Sequence, residues 1–290
     1  DSVDVWAHPE QFLLDEKGMM TVVAGVPPDY YSATGQRWGN PHYNWDVMRQ
    51  ENYAWWLSRI NHHLQEFDLL RIDHFRGLES AWMIDAACDT AIDGHWRRMP
   101  GDELLGRIRE DAGHLPIVAE DLGIITPEVT ALRRKHELPG MSVLQFGFDE
   151  HADNPHKLQN IKQDCVVYTG THDNDTTKGW YQGLDKDGKN YILQTLNIPL
   201  KGQHTEQDNE STADLVVDRL IDNAMNSQAS LCMVPMQDCL HLGSVARMNT
   251  PGTIDHNWQW SFKWEQIHDD FAADMRLRIE TANRLIKKHG

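Results

Sequence analysis

Residues 116–121 read PIVAED. A proline opens the stretch, three apolar residues follow without alternation, and two acids close it. A short apolar run that does not alternate fits a strand covered on both faces, as in a parallel sheet. Four further stretches share the pattern: Asp68–Asp73, Met141–Phe146, Cys165–Thr169 and Leu231–Met236. Helical periodicity lies between several of them, at Gly101–Asp111 and Thr126–His136. Another helical stripe runs from Trp45 to Phe67, with Tyr53, Trp56, Leu57, Ile60, Leu64 and Phe67 at three- and four-residue steps. A last one, from Phe262 to His289, carries Trp264, Ile267, Phe271, Met275 and Ile279. Strand and helix in alternation predict an α/β fold. No fixed-period repeat or low-complexity linker divides the chain, so residues 1–290 read as one domain. Residues 1–44 read as loop-like, being dense in Gly, Pro, Asp and Asn around GVPPDYYSATGQRWGNP (25–41).

Composition narrows the function. The net charge of −17 argues against nucleic acid, whose recognition needs a basic footprint. No apolar stretch approaches the roughly 18 residues of a membrane span, and no signal-peptide pattern is visible, so no membrane partner is expected. Cys88, Cys165, Cys232 and Cys239 form no CxxC pair. A reduced, cytoplasmic protein is the expectation, with Cys165 and Cys232 as small core residues. Trp faces suit sugar rings, but composition alone favours core packing for the 11 tryptophans, and Trp55, Trp56, Trp258 and Trp260 read as core.

Acids stand where the apolar runs end. Asp73 follows LLRI, Glu120 follows PIVA, and His172-Asp173-Asn174-Asp175 follows VVYTGT. One acid at a strand end is ordinarily a solvated cap. Three such ends in a closed β/α barrel converge on the C-terminal rim, where barrel active sites lie. Two carboxylates flanking a glycosidic bond, roughly 5–5.5 Å apart, give a retaining mechanism, and a third can hold sugar hydroxyls. His and Asp are also metal ligands, but no HxH or HExxH spacing occurs, and neither a metal nor a cofactor is expected. Asp121 should point away from Glu120, because neighbours on a strand alternate.

RIDHFRG (71–77), VAEDLG (118–123), TGTHDNDTTKGW (169–180), the 25–41 loop, and RMNTPGT (247–253) with NWQW (257–260) together resemble the 4-alpha-glucanotransferases, or amylomaltases, of glycoside hydrolase family 77. The resemblance implies an eight-stranded β/α barrel of the alpha-amylase clan. It also implies transfer of alpha-1,4-glucan segments among maltodextrins, maltose and glucose. By motif, Asp73 is the nucleophile, Glu120 the acid/base and Asp173 the stabiliser of the transition state. Arg71 keeps Asp73 ionised and oriented, and His172 binds sugar hydroxyls. Asp29, Tyr30, Trp38, Asn40 and Asn249 line the groove. Asp175 reads as structural, and His74 as orienting Asp73 or packing. Ser261 stands where the family pattern continues with Arg. The five runs correspond to barrel strands four to eight, so the chain is expected to be the C-terminal part of a longer enzyme, inactive or poorly soluble alone.

Overall fold

The computed structural model describes residues 2–29, 32–199 and 206–286. Two compact units emerge, Asp1–Gly140 and Met141–Gly290.

The first unit holds two sheets. A four-stranded sheet has the order β2-β1-β4-β5, formed by β1 (Val22–Val26), β2 (Gln36–Pro41), β4 (Ser80–Asp85) and β5 (Gly94–Arg98). Its β1–β2, β1–β4 and β4–β5 pairings are antiparallel. Beside it, β3 (Leu70–Ile72) and β6 (Ile117–Ala119) pair in parallel, with Leu70 opposite Ile117 and Ile72 opposite Ala119. Ile117, Val118 and Ala119 are all buried, as the non-alternating PIVA run predicts. Helices Gly101–Ala112 and Pro127–Lys135 stand where the periodicity places them. Leu104, Leu105, Ile108, Val129 and Leu132 pack with Trp56, Ile60 and Phe75 into one core.

Two expectations are corrected in this unit. Residues 1–44 are not simply loop-like, because they contribute β1 and β2. Gly25 interrupts β1, and β2 carries Gly39, Asn40 and Pro41, residue types that strands disfavour. Gly25 is needed, because a Cβ there would lie 2.2 Å from the Gln36 carbonyl oxygen. The long stripe from Trp45 is two helices, Trp45–Gln50 and Ala54–Leu64. Asn52 and Tyr53 take left-handed backbone (φ 53° and 59°), and the Tyr53 N–H donates to the Met48 carbonyl at 2.6 Å. With the Asn52 N–H donating to the Arg49 carbonyl at 3.0 Å, that closes the first helix as a Schellman motif, a change of direction that side-chain periodicity does not report.

The second unit carries β7 (Gly140–Val143), β8 (Cys165–Tyr168) and β9 (Leu231–Met233) in that order. Strands β8 and β9 are parallel, Val167 lying opposite Cys232. Val167 packs with Ile192, Leu193, Val216 and Leu220 from helices Lys186–Thr195 and Glu206–Asn226. The final helix is shorter than expected, Phe271–Thr281. Met275 and Ile279 pack beside Val217, Ile221 and Met225, while Trp264 is exposed in a single 3₁₀ turn. The five expected strands are all present, the mixed α/β content holds, and no helix among the described residues is long and apolar enough to cross a membrane.

Candidate active site

In the first unit, two carboxylates stand one residue beyond the ends of paired parallel strands. Arg71 and Asp73 are alternate residues, so both side chains leave the same face of β3. Arg71 Nη2 donates to Asp73 Oδ1 at 2.7 Å. The Asp73 side chain is 77% exposed, so it is open to an incoming ligand while the guanidinium fixes one of its oxygens.

Glu120 lies differently. Its backbone continues the ladder, its N–H donating to the Ile72 carbonyl and its carbonyl accepting from Phe75 N–H, each at 3.0 Å. Its half-buried carboxylate accepts from His74 N–H at Oε2 (2.7 Å) and from Leu122 N–H at Oε1 (2.9 Å). Burial holds Glu120 above the usual carboxylate pKa, and repulsion from Asp73 adds to this. The two N–H bonds and the Arg71 charge act in the opposite direction without cancelling it. One exposed carboxylate paired with arginine, beside one that retains its proton to higher pH, is a division of labour suited to a nucleophile and a general acid.

Asp121 does point away. It pairs with Arg133 at 3.1 Å, and Gly140 leaves room for it, since a Cβ there would lie 2.5 Å from Asp121 Oδ2. Trp38, on β2, is 44% exposed, and its ring meets the His74 ring edge-on at 4.8 Å. Asn40 is exposed on the same strand and lines a groove with Phe12, Tyr43 and Trp55. Asp29 turns one oxygen back into its own loop, where Ser32 N–H donates to it at 2.8 Å. Tyr30 lies outside the described residues.

In the second unit, the chain leaves β8 through Thr169 and Gly170 into a loop that presents His172 and Asp173. Asn249 Nδ2 donates to Asp173 Oδ1 at 2.6 Å, and Arg247 Nη2 donates to the Asp173 carbonyl at 2.7 Å. His172 Nε2 lies 3.5 Å from the same Oδ1. Asp175 is engaged structurally, accepting from Ser244 Oγ at 2.6 Å and Thr176 N–H at 2.8 Å. A cavity of about 170 Å³ opens here, lined by His172, Asp175, Gln237, Asp238, Arg247 and Trp258. Trp258 is not a core residue. It is 63% exposed, in left-handed backbone (φ 61°), with its ring 5.2 Å from that of His172. Sequence reading missed Trp258 and Arg247. Trp is buried so often that its type favoured the core, and the signal for Arg247 was its place two residues before Asn249.

Asp238 anchors this loop. It is 1% exposed and accepts from Thr169 Oγ1 (2.6 Å), Thr177 Oγ1 (2.7 Å) and Thr177 N–H (2.8 Å). Burial raises its pKa, and those three donors oppose the rise. Asp238→Ala should cost about 3 kcal/mol, because it leaves buried donors unpaired. Urea unfolding measures this, and an unchanged midpoint would show that the three bonds add nothing.

The family model for 4-alpha-glucanotransferases of glycoside hydrolase family 77 matches residues 1–266. The chain belongs to this family. It is 48% identical to the 4-alpha-glucanotransferase of Thermus thermophilus over 288 residues, 98% of this chain and 56% of that protein. It is 43% identical to the chloroplastic/amyloplastic 4-alpha-glucanotransferase of Solanum tuberosum, over 95% of this chain and 46% of that one. Among solved structures, the amylomaltase from Streptococcus agalactiae in complex with acarbose matches with a TM-score of 0.87 and 34% identity. That match covers 98% of this chain and 55% of the amylomaltase. This family-77 chain thus spans about half the length of the curated relatives it matches.

Proposed function

We propose that the protein containing this chain is a 4-alpha-glucanotransferase working by retaining double displacement. The observation that carries the reading is the pairing of an arginine-bound, exposed Asp73 with a half-buried, weakly acidic Glu120 at the ends of adjacent parallel strands. Asp73 attacks the anomeric carbon of an alpha-1,4-linked glucan. The C1–O bond breaks, and Glu120 gives its proton to the departing 4-oxygen. Glu120, now a carboxylate, takes the proton of an acceptor 4-hydroxyl, which attacks the covalent intermediate and regenerates Asp73. Asp173 is assigned the stabilising role. Its support is its fixed carboxylate, held by Asn249, with His172 alongside.

Arg71 orients the nucleophile in this reading, while His172, Asn249, Trp38, Asn40, Asp29 and Tyr30 are assigned to glucan binding. Maltodextrins, maltose and glucose are the proposed substrates. The likeness to an amylomaltase bound to acarbose supports that choice. The five strands β3, β6, β7, β8 and β9 are assigned to a β/α barrel of the alpha-amylase clan, with residues 1–290 within that one domain. The parallel β3–β6 and β8–β9 pairings support this. A cytoplasmic setting belongs to the same reading and agrees with four free cysteines.

Incubation of the full-length protein with maltotriose tests the reaction. Glucose together with maltodextrins longer than the substrate is the expected outcome. Chain shortening without longer products would instead make the protein a hydrolase.

A further inference from the structure

His74 is a histidine in a conformation that favours glycine. Its φ is +47°, where an L side chain crowds the following carbonyl. Strain of this kind persists only when the surroundings enforce it. Two neighbours do so here. Trp38 meets the imidazole edge-on, with ring centroids 4.8 Å apart. Gly77 lies close to the ring, where an added Cβ would come within 3.2 Å of His74 Cδ2. In this conformation the His74 N–H reaches Glu120 Oε2 at 2.7 Å.

We propose that Trp38 and His74 form a positioning unit that holds the His74 backbone N–H on Glu120 and so places its carboxyl for proton delivery to the leaving oxygen. The inference rests on the reading of Glu120 as the acid/base. It gives Trp38 a task separate from touching sugar. An anchored imidazole fixes a strained peptide, and that peptide fixes one oxygen of Glu120. Leu122 N–H fixes the other at 2.9 Å, so the carboxyl plane is set from both sides. The charged groups acting on this unit are Asp73 and Arg71 on Glu120, and Asp73 and Arg76 on His74. Burial keeps the His74 ring below its ordinary pKa, so it acts as a neutral wedge rather than a second proton source. A role through packing alone predicts a general loss of function. A role through Glu120 predicts a loss confined to steps in which Glu120 moves a proton.

Leaving-group chemistry separates these roles. With maltotriose, C1–O cleavage needs the proton of Glu120. With alpha-maltosyl fluoride, Asp73 attacks C1, the C–F bond breaks and fluoride departs without that proton. In the full-length protein, His74→Ala should lower kcat/KM for maltotriose about tenfold, with fluoride release in the first turnover falling less than about threefold. Trp38→Ala also removes the glucan contact assigned above, which lowers the rates on both donors alike, so its signature is a loss on maltotriose clearly larger than the loss on the fluoride. His74→Gly, for which positive φ carries no steric cost, should recover most of the loss. Equal losses on the two donors in both alanine variants would overturn the proposal and leave Trp38 a sugar contact or packing residue. Should His74→Ala not fold, Trp38→Ala carries the same contrast, because its ring is already partly exposed. Glu120→Gln is the control. If it shows no split between donors, the acid/base reading itself falls. If it shows the split and the other variants do not, only the positioning role falls.

Discussion

Asp73→Asn is expected to abolish transfer in the full-length protein, with kcat falling about a thousandfold or more. The amide preserves the shape of the side chain but removes the negative charge that attacks C1. Arg71 is left facing a neutral group in place of its 2.7 Å carboxylate partner. Because Asp73 is largely solvent-exposed, the exchange leaves no buried group stranded, and the fold should be retained. Glucan affinity should stay within about threefold of the parent, since hydroxyl contacts elsewhere are unchanged. Initial rates with maltotriose and calorimetric titration with a non-reacting glucan measure the two quantities separately. Normal turnover in this variant would refute the nucleophile assignment.

Glu120→Gln is expected to lower kcat/KM for maltotriose by about a hundredfold to ten-thousandfold, the range of general acid catalysis. The pH dependence provides a sharper signature. Burial raises the Glu120 pKa, so its proton remains to higher pH than on a free glutamate. The first step needs that proton, so activity should decline as pH rises through the Glu120 pKa, giving the alkaline limb of the kcat/KM profile. Glutamine has no proton to release in this range, and the residual activity of the variant should lack that limb. A variant profile that kept the parent's alkaline limb would assign it to another group.

The site and the fold were legible to different degrees. The five strands could be read because each continuous apolar run appears as a strand, and three of them, β6, β7 and β8, are covered on both faces, whereas β3 and β9 are only partly covered. The antiparallel sheet could not. Strand β1 pairs with β4 far along the chain, Gly25 obeys the close approach of the Gln36 backbone rather than strand propensity, and Gly39 serves a left-handed turn of the backbone (φ 79°). The exposure of Trp258 was equally hidden, because residue type reports average burial and not which ring a neighbouring loop leaves uncovered.

The sequence by itself determined which chemistry is available: acids at the ends of apolar runs, an arginine two positions before one of them, and motifs sufficient to place the chain in its family. That much follows from residue type and local spacing. Tertiary structure alone decided that Glu120 is half-buried while Asp73 stays open, because the cover over Glu120 and its His74 donor come from residues distant in sequence. It likewise decided that Asp238 would anchor the Asp173 loop and that Trp38 would press on His74. Each depends on which strand stands beside which, and pairing is settled by the packing of the whole unit.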